Sequence, residues 1–326
     1  MILADMQSAL EPAGSQAAHI SQQWWFFFFV LTAIFVLVAI FLFVAISRRR
    51  EPGREASLEE LLPPDQKTDK RMSRVVIGCV VATVIILFGL LASDMVTGSA
   101  IYALSSDPNA LIIKITGHQW WWEVQYDDPQ PGKIVTTANE VHIPAGRTVK
   151  FDLRSLDVIH SFWVPNLHGK KDLIPGHPTS TWLKADREGT FRGQCAEFCG
   201  YQHAHMRLEF VAESPEKFES WIATQRQNAF GPATGIQQRG QDLFVHNQCL
   251  TCHTIQGTNA RATAGPDLTH FGSRTLIGAG ALPNTPENLS AWIANPQNIK
   301  PGVRMPANPF PADDLNALVD YLESLK

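Results

Sequence analysis

Charged residues are scarce in this chain of 326 residues, at 18% of the sequence, and the formal net charge is only −4. Nucleic-acid binding depends on neutralising phosphates with Lys and Arg, so this balance gives no basis for it. Cysteine is also scarce, and its 5 residues are too few for a disulfide-stapled scaffold. Internal repeats and low-complexity tracts are missing. A hydrophobic fraction of 45% excludes a disordered or fibrous chain, and the length favours two or three domains.

Two long uncharged runs lie near the N-terminus, at residues 24–46 and 75–92. A hydrocarbon core of about 30 Å needs roughly 20 apolar residues in a helix, and about 17 is the lower limit. A buried core helix is the alternative for the second run, but the first run already commits the chain to a membrane. We therefore predict a transmembrane hairpin that follows an external tail at residues 1–23.

The distribution of Lys and Arg predicts the orientation of this hairpin. The tail at residues 1–23 has none, whereas the connection at residues 47–74 has eight. Positive residues stay in the cytoplasm, so the connection is predicted to be cytoplasmic and both termini external. A cleaved signal peptide does not fit residues 1–46, because the basic n-region is missing and the apolar run is too long.

Short β-branched or alternating segments follow, separated by Gly and Pro, and they predict an all-β sandwich or barrel within residues 93–213. The predicted strands are 111–116, 120–126, 134–143, 148–153, 181–185 and 206–211. Ser214-Pro-Glu-Lys resembles a helix N-cap and begins a helical linker at residues 214–235. Residues 236–326 are predicted to be helical, with Asp313 or Asp314 capping the last helix. Its apolar face would contain Leu315, Leu318, Val319 and Leu322.

Soft metal ligands cluster in the predicted β domain. They are His160 and the segment Cys195-Ala-Glu-Phe-Cys199-Gly-Tyr-Gln-His203-Ala-His-Met206. Thiolate, thioether and imidazole ligands together favour copper over hard ions. Two thiolates can each bridge two ions, so this set suffices for a dinuclear centre suited to electron transfer. A Cys195–Cys199 disulfide, a structural zinc ion and a core role for Met206 are the alternatives. His205 is expected to be a bystander, on the other face of a strand that begins at His203.

Residues 111–213 resemble the cupredoxin domain of cytochrome c oxidase subunit II, which holds the dinuclear copper A centre. The resemblance is carried by Gly117-His-Gln-Trp-Trp-Trp122, Asp157-Val-Ile-His160-Ser, Lys171-Asp-Leu-Ile-Pro-Gly176 and the whole segment from Cys195 to Met206. It implies that Cys195 and Cys199 bridge the coppers and that His160, His203 and Met206 complete the shell. It also implies that the backbone carbonyl of Glu197 is a ligand, and that the Glu197 carboxylate reaches a magnesium ion at the contact with subunit I.

The sequence departs from this family before the second apolar run. Many members carry a Glu there, near a proton channel of subunit I, whereas this chain reads Asp69-Lys-Arg-Met-Ser-Arg74. Glu59, Glu60 and Asp69 are the nearby acids. We assign the proton-channel role to none of them.

Cys249-Leu-Thr-Cys252-His253 matches the c-type haem attachment signature. Both thiols would bond to the porphyrin edge, and His253 would ligate the iron. A zinc site or a redox dithiol would leave the adjacent His unexplained. Met305 is the only methionine after His253, and His/Met ligation suits electron transfer. Core packing of Met305 and ligation by His270 are the alternatives.

The composite chain resembles subunit II of a caa-type haem–copper oxidase, with an all-α class I cytochrome c domain fused to the copper domain. The resemblance implies that haem c passes electrons through copper A to haem a of subunit I, where oxygen is reduced to water and protons are pumped. It implies subunits I and III as partners, and a soluble cytochrome c or a quinol-oxidising complex as donor. It also implies a bacterial cytoplasmic membrane with both metal domains on the periplasmic side.

Trp120 is the residue at which, by this resemblance, electrons enter the copper domain. Because Trp120, Trp121 and Trp122 are consecutive on a predicted strand, we expect at least one exposed indole. A membrane-anchored copper chaperone and a haem–copper redox sensor are the alternative functions. The chaperone predicts a βαβ pattern and no haem, and the sensor needs an output domain larger than the connection at residues 47–74.

Overall fold

The computed structural model describes residues 7–48, 66–103, 105 and 107–326. Two compact units are present: a helical unit of residues 19–103, and a second unit that holds the remaining residues. Most of the predicted cytoplasmic connection, including Glu59 and Glu60, and the first six residues of the predicted tail lie outside the described residues. The predicted topology of those segments therefore stays a prediction.

The helical unit consists mainly of two long apolar helices. Helix α1 spans Ser15–Ser47 and helix α2 spans Gln66–Ala103. Both are long and apolar enough to cross a membrane, and their most apolar windows bury nothing inside the described structure. Each helix extends beyond the predicted apolar run, because the flanking residues contain no proline. Gln23 joins the two helices by accepting hydrogen bonds from the hydroxyls of Ser93 and Thr97, at 2.8 and 3.0 Å.

Ten strands between residues 111 and 213 form two five-stranded sheets, in the orders β3-β2-β1-β5-β8 and β4-β10-β9-β6-β7. This sandwich confirms the predicted fold class. The strands are β1 Leu111–His118, β2 Trp121–Tyr126, β3 Val135–Ala138, β4 Glu140–Pro144, β5 Thr148–Ser155, β6 His160–Trp163, β7 Lys171–Leu173, β8 Thr179–Lys184, β9 Gly189–Cys195 and β10 Arg207–Glu213.

Alternating side chains of the two sheets fill the core between them. Ile113 and Ile115 of β1, Phe151 of β5, Phe162 of β6 and Phe210 of β10 are fully buried. The strand predicted at 134–143 is divided in two, because Asn139 adopts a left-handed φ of 62° between β3 and β4. The chain thereby crosses from one sheet to the other.

A helical domain follows the sandwich within the same unit. Helix α3, Pro215–Gln225, still packs on the core of the sandwich through Phe218 and Ile222. The helical domain consists of α4 Gly235–His246, β11 Leu276–Ile277, β12 Leu282–Pro283, α5 Pro286–Ala294 and α6 Ala312–Ser324. Ser214 caps α3 as predicted, by accepting a hydrogen bond from the backbone of Lys217 at 3.3 Å. Helices α4 and α6 pack together around Phe244 and Tyr321.

The predicted cap of the last helix is wrong. Pro311 occupies the N-cap position of α6, so Asp313 and Asp314 lie in the first turn, where carboxylates favour the positive end of the helix dipole. Asp314 instead forms an ion pair with Arg239 of α4 at 2.6 Å. The predicted apolar face is confirmed. Leu318, Val319 and Leu322 are buried and Leu315 packs beside them.

Candidate metal centres

The predicted copper ligands converge at one end of the sandwich. His160 is the first residue of β6, Cys195 is the last residue of β9, and the others lie on the connection from β9 to β10. The sulfur atoms of Cys195 and Cys199 are 3.8 Å apart. His160 Nδ1 lies 3.9 Å from the Cys195 sulfur, and His203 Nδ1 lies 3.6 Å from the Cys199 sulfur.

Two further donors complete this cluster. Met206 Sδ is 3.8 Å from the Cys199 sulfur, and the backbone carbonyl oxygen of Glu197 is 3.2 Å from the Cys195 sulfur. A disulfide has an S–S length of about 2.05 Å, so Cys195 and Cys199 are free thiols. Hydrogen bonding from its Cys199 neighbour lowers the pKa of Cys195 well below its usual value, which favours the metal-binding thiolate. This soft donor set fits copper better than the alternative zinc ion.

Asp157 orients the ligand His160. The Nε2 atom of His160 lies 2.8 Å from Asp157 Oδ1, which leaves Nδ1 facing the thiols. The other oxygen of Asp157 accepts a hydrogen bond from the backbone of Gln119 at 2.6 Å. Such carboxylate partners fix the tautomer and the ring orientation of metal ligands. The sequence analysis gave Asp157 no role, although its position three residues before His160 is a usable signal.

The segment after His203 differs from the prediction. His203–His205 is a 3-10 turn rather than the start of a strand. Strand alternation therefore does not place His205. Its ring nitrogen Nδ1 instead lies 2.8 Å from the side-chain oxygen of Gln202, which agrees with the expected bystander role. The Glu197 side chain is partly exposed and forms an ion pair with Lys170 at 3.3 Å, so its magnesium role stays a prediction.

The expectation of an exposed indole in the tryptophan cluster is wrong. Trp120 precedes β2, and both Trp120 and Trp122 are buried, while Trp121 is half-buried and stacks on His118 at 4.3 Å. The helical domain covers Trp120. A Cβ atom added at Gly302 would lie 3.4 Å from two atoms of the indole. The buried indole N–H donates a hydrogen bond to the Cys199 carbonyl at 3.0 Å.

The predicted haem-attachment residues lie directly after α4. Cys249 and Cys252 are partly buried free thiols at a 3-10 turn, and His253 follows. His253 Nδ1 lies 2.8 Å from the Pro266 carbonyl, which leaves Nε2 free for a metal. Burial lowers the pKa of His253, so the ring is neutral, as a metal ligand must be. This arrangement fits a covalent haem with His253 as axial ligand.

The two candidates for the opposite axial ligand have different surroundings. His270 is buried, its Nε2 atom lies 3.1 Å from the carbonyl of Gln227, and its Nδ1 atom has no hydrogen-bond partner among the described residues. Met305 is partly buried in the segment between α5 and α6, and its own backbone carbonyl accepts a hydrogen bond from Gln297 at 3.1 Å. Met305 stays the predicted ligand, with His270 as the alternative.

Comparison with known proteins matches both domains. The family model "Cytochrome C oxidase subunit II, periplasmic domain" matches residues 130–213, and the model "Cytochrome c" matches residues 237–326. A cytochrome c oxidase subunit 2 from Alkalihalophilus pseudofirmus is 37% identical over 98% of this chain and 91% of that protein. The subunit 2 of Bacillus subtilis is 33% identical over 67% of this chain and 63% of that protein.

Among solved structures, the periplasmic domain of subunit II of the Bradyrhizobium japonicum cytochrome oxidase is similar. It is 33% identical, it covers 36% of this chain and 96% of its own, and the TM-score is 0.34.

Proposed function

Because the chain belongs to the cytochrome c oxidase subunit 2 family, we propose that it carries electrons from a covalent haem c to a dinuclear copper A centre and on to haem a of subunit I. There oxygen is reduced to water and protons are pumped. The chain is thus a subunit of a haem–copper oxidase, and the oxygen-reducing site belongs to subunit I. The observation that carries the proposal is the convergence of six donor groups beside a buried indole that contacts the helical domain.

In this proposal, the copper centre is held by two bridging thiolates and four further donors. The thiolates of Cys195 and Cys199 would hold the copper ions together with His160, His203, Met206 and the Glu197 carbonyl. A thiolate-bridged copper pair supplies one-electron transfer with little change in bond lengths. The protein contributes rigidity, because His160 is fully buried and fixed by Asp157, while Met206 is buried directly before β10.

The haem would be held by Cys249 and Cys252, with His253 and Met305 as axial ligands. When bound, it supplies a one-electron couple whose potential is raised by His/Met ligation. The Pro266 carbonyl orients the His253 ring, and burial keeps that ring neutral.

The membrane arrangement and the partners follow from the same proposal. Helices α1 and α2 would span the bacterial cytoplasmic membrane, with both metal domains on the periplasmic side, as the positive residues around the connection favour. Subunit I would receive the electrons, subunit III would accompany it, and a soluble cytochrome c or a quinol-oxidising complex would supply them. A magnesium ion at the Glu197 carboxylate would lie at the contact with subunit I.

The decisive experiment is metal analysis and EPR spectroscopy of this chain purified apart from subunit I, because the metals of subunit I would add to the totals. We expect two coppers and one iron per copy of this chain, with the EPR signal of a mixed-valence copper pair. A single copper or a zinc ion at the thiols would contradict the copper assignment. Absence of covalent haem after denaturation would contradict the haem assignment. The copper chaperone predicted a βαβ pattern, whereas the metal cluster lies in a two-sheet sandwich.

A further inference from the structure

Lys300 of the helical domain is buried at the boundary with the copper domain. Its side chain is 1% exposed. Its ammonium donates hydrogen bonds to the backbone carbonyls of Trp120, at 2.7 Å, and of Gly278, at 2.8 Å. The first acceptor belongs to the copper domain and the second to the turn between β11 and β12. Lys300 therefore joins three chain segments that are far apart in sequence.

No carboxylate within the described part of the chain lies at ion-pair distance from Lys300. Burial lowers its pKa to about 7. A buried ammonium with only carbonyl partners is unfavourable unless its geometry is well satisfied. The two short hydrogen bonds provide that geometry, and they hold the carbonyls of two domains around one donor.

The segment after Lys300 lies directly over the tryptophan beside the copper ligands. Gly302 lies beside the Trp120 indole, since a Cβ atom added at Gly302 would be 3.4 Å from two atoms of the ring. Val303 packs against the core of the copper domain. Met305, the candidate haem ligand, follows two residues later. On the other side, the Trp120 indole donates to the carbonyl of Cys199, a copper ligand.

These contacts form one continuous path between the two proposed metal sites. The path runs along the backbone from Met305 to Gly302, crosses to the indole of Trp120 and reaches Cys199 through a hydrogen bond. Electron-transfer rates fall steeply when a through-space gap widens. The contact between Gly302 and Trp120 is the one non-covalent, non-hydrogen-bonded step of this path, and Lys300 anchors both sides of it.

Two further contacts hold the same boundary. The Gln202 side chain donates to the Pro301 carbonyl at 2.8 Å, and the backbone N–H of Arg207 donates to the Ala279 carbonyl at 3.0 Å. Gln202 and Arg207 belong to the copper domain, and their acceptors belong to the helical domain. Pro301 is next to Lys300 in the chain, and Ala279 is next to Gly278, the acceptor of Lys300. The two domains are therefore docked in a specific arrangement around Lys300.

We propose that Lys300 is a positioning residue for internal electron transfer: its buried ammonium locks the Met305 segment onto Trp120 and keeps the haem domain docked on the copper domain. The proposal rests on the function proposed above. It has a consequence for the external donor. The surface of Trp120 is covered by this chain's own domain, so an external donor delivers electrons to haem c and not directly to the copper centre.

The test uses the purified oxidase with Lys300→Met, which removes the charge and both donors at similar side-chain length. Lys326→Met is the matched control, since Lys326 is an exposed lysine of the same domain. Electron transfer from haem c to copper is followed after rapid photoreduction of the haem. We expect Lys300→Met to slow this step by at least about tenfold, with metal contents and both reduction potentials unchanged, and Lys326→Met to leave the rate unchanged.

A second readout requires no metal. Hydrogen exchange of the Arg207 amide, measured by mass spectrometry, reports on the interdomain hydrogen bond to Ala279. We expect faster exchange in Lys300→Met and no change in the control. If Lys300→Met does not assemble, Lys300→Gln, which keeps one shorter donor, should give intermediate values of both readouts.

The outcomes separate the two proposals. A wild-type rate together with wild-type amide protection in the Lys300 variants would overturn the positioning role. A slowed rate that is explained by altered potentials or by lost copper would also overturn it. If the wild-type oxidase contained no copper pair or no haem c, the proposed function would fail, whereas the amide readout would still decide whether Lys300 holds the two domains together.

Discussion

Gly117→Ala should damage the copper centre through steric pressure alone. Gly117 is in β1, and its φ is not left-handed, so alanine fits the backbone. An added Cβ would lie 2.7 Å from Cδ2 and 3.0 Å from Cγ of His160. Ordinary contact begins near 3.4 Å, so the imidazole must move by about 0.7 Å.

The imidazole has no free space for such a shift. His160 is fully buried, Asp157 holds its Nε2 at 2.8 Å, and the Trp122 ring packs at 6.0 Å between centroids. Metal–ligand distances tolerate only about 0.2 Å. Overpacking of this kind costs about 1–3 kcal/mol of folding stability. Mutation of a residue that orients a metal ligand typically weakens metal affinity about 10–100-fold, and we expect a loss of copper affinity of the same size here.

The assay is the intensity of the copper-pair EPR signal relative to the content of covalent haem c in the purified oxidase, measured after dialysis against a graded series of copper chelator. The covalent haem provides the internal reference, because its site lies in the other domain. Gly132→Ala is the matched control, since nothing lies within 4 Å of the added Cβ there. Equal copper retention in the two variants, with an unchanged copper EPR signal, would refute the steric reasoning.

Three further predictions concern the ligands and the path between the sites. Cys195→Ser should abolish the copper pair, because a serine oxygen cannot bridge two soft coppers. Met206→Leu should shift the reduction potential of the copper centre and keep most of the copper. Equal copper losses in the two variants, measured by metal analysis, would contradict this ranking of the ligands. Met305→Ala should leave the haem covalently attached but make the iron partly high-spin, and an unchanged low-spin absorption spectrum would transfer the ligand role to His270. Trp120→Phe removes the indole donor to the Cys199 carbonyl and should slow haem-to-copper transfer at least about tenfold, roughly 1.4 kcal/mol of barrier. Flash kinetics with an unchanged rate and intact metals would show that electrons bypass Trp120.

Sequence patterns were sufficient to predict the elements that depend on residues close together in the chain. Helices α1 and α2 are predictable because a single window of about 20 residues contains the whole apolar run. The segment from Cys195 to Met206 places five predicted donors within 12 residues of sequence, so their proximity hardly depends on the rest of the fold. The haem signature is equally contiguous, and Ser214 caps α3 by a contact three residues away.

Local patterns failed where long-range packing decides. Strands β6 and β9 carry predicted copper ligands, and neither strand was predicted: β6 is only four residues long, and β9 contains two glycines, which are depleted in strands. The prediction that Asp313 or Asp314 caps the last helix was wrong, because Pro311 occupies the N-cap position. Asp314 instead forms an ion pair with Arg239 on another helix.

The sequence by itself was sufficient to predict the metal-binding groups, because ligand chemistry depends on residue type and short spacing. Only the tertiary structure decided how the two sites are arranged. The burial of Trp120 and the role of Lys300 both arise from contacts across about 180 residues of sequence, between domains that each fold around their own core. No periodicity or motif encodes such a contact, because its energy exists only when both folded surfaces are present. In the sequence, Lys300 cannot be distinguished from a surface lysine. In the structure it is 1% exposed and donates to two backbone carbonyls, because the two domains cover it.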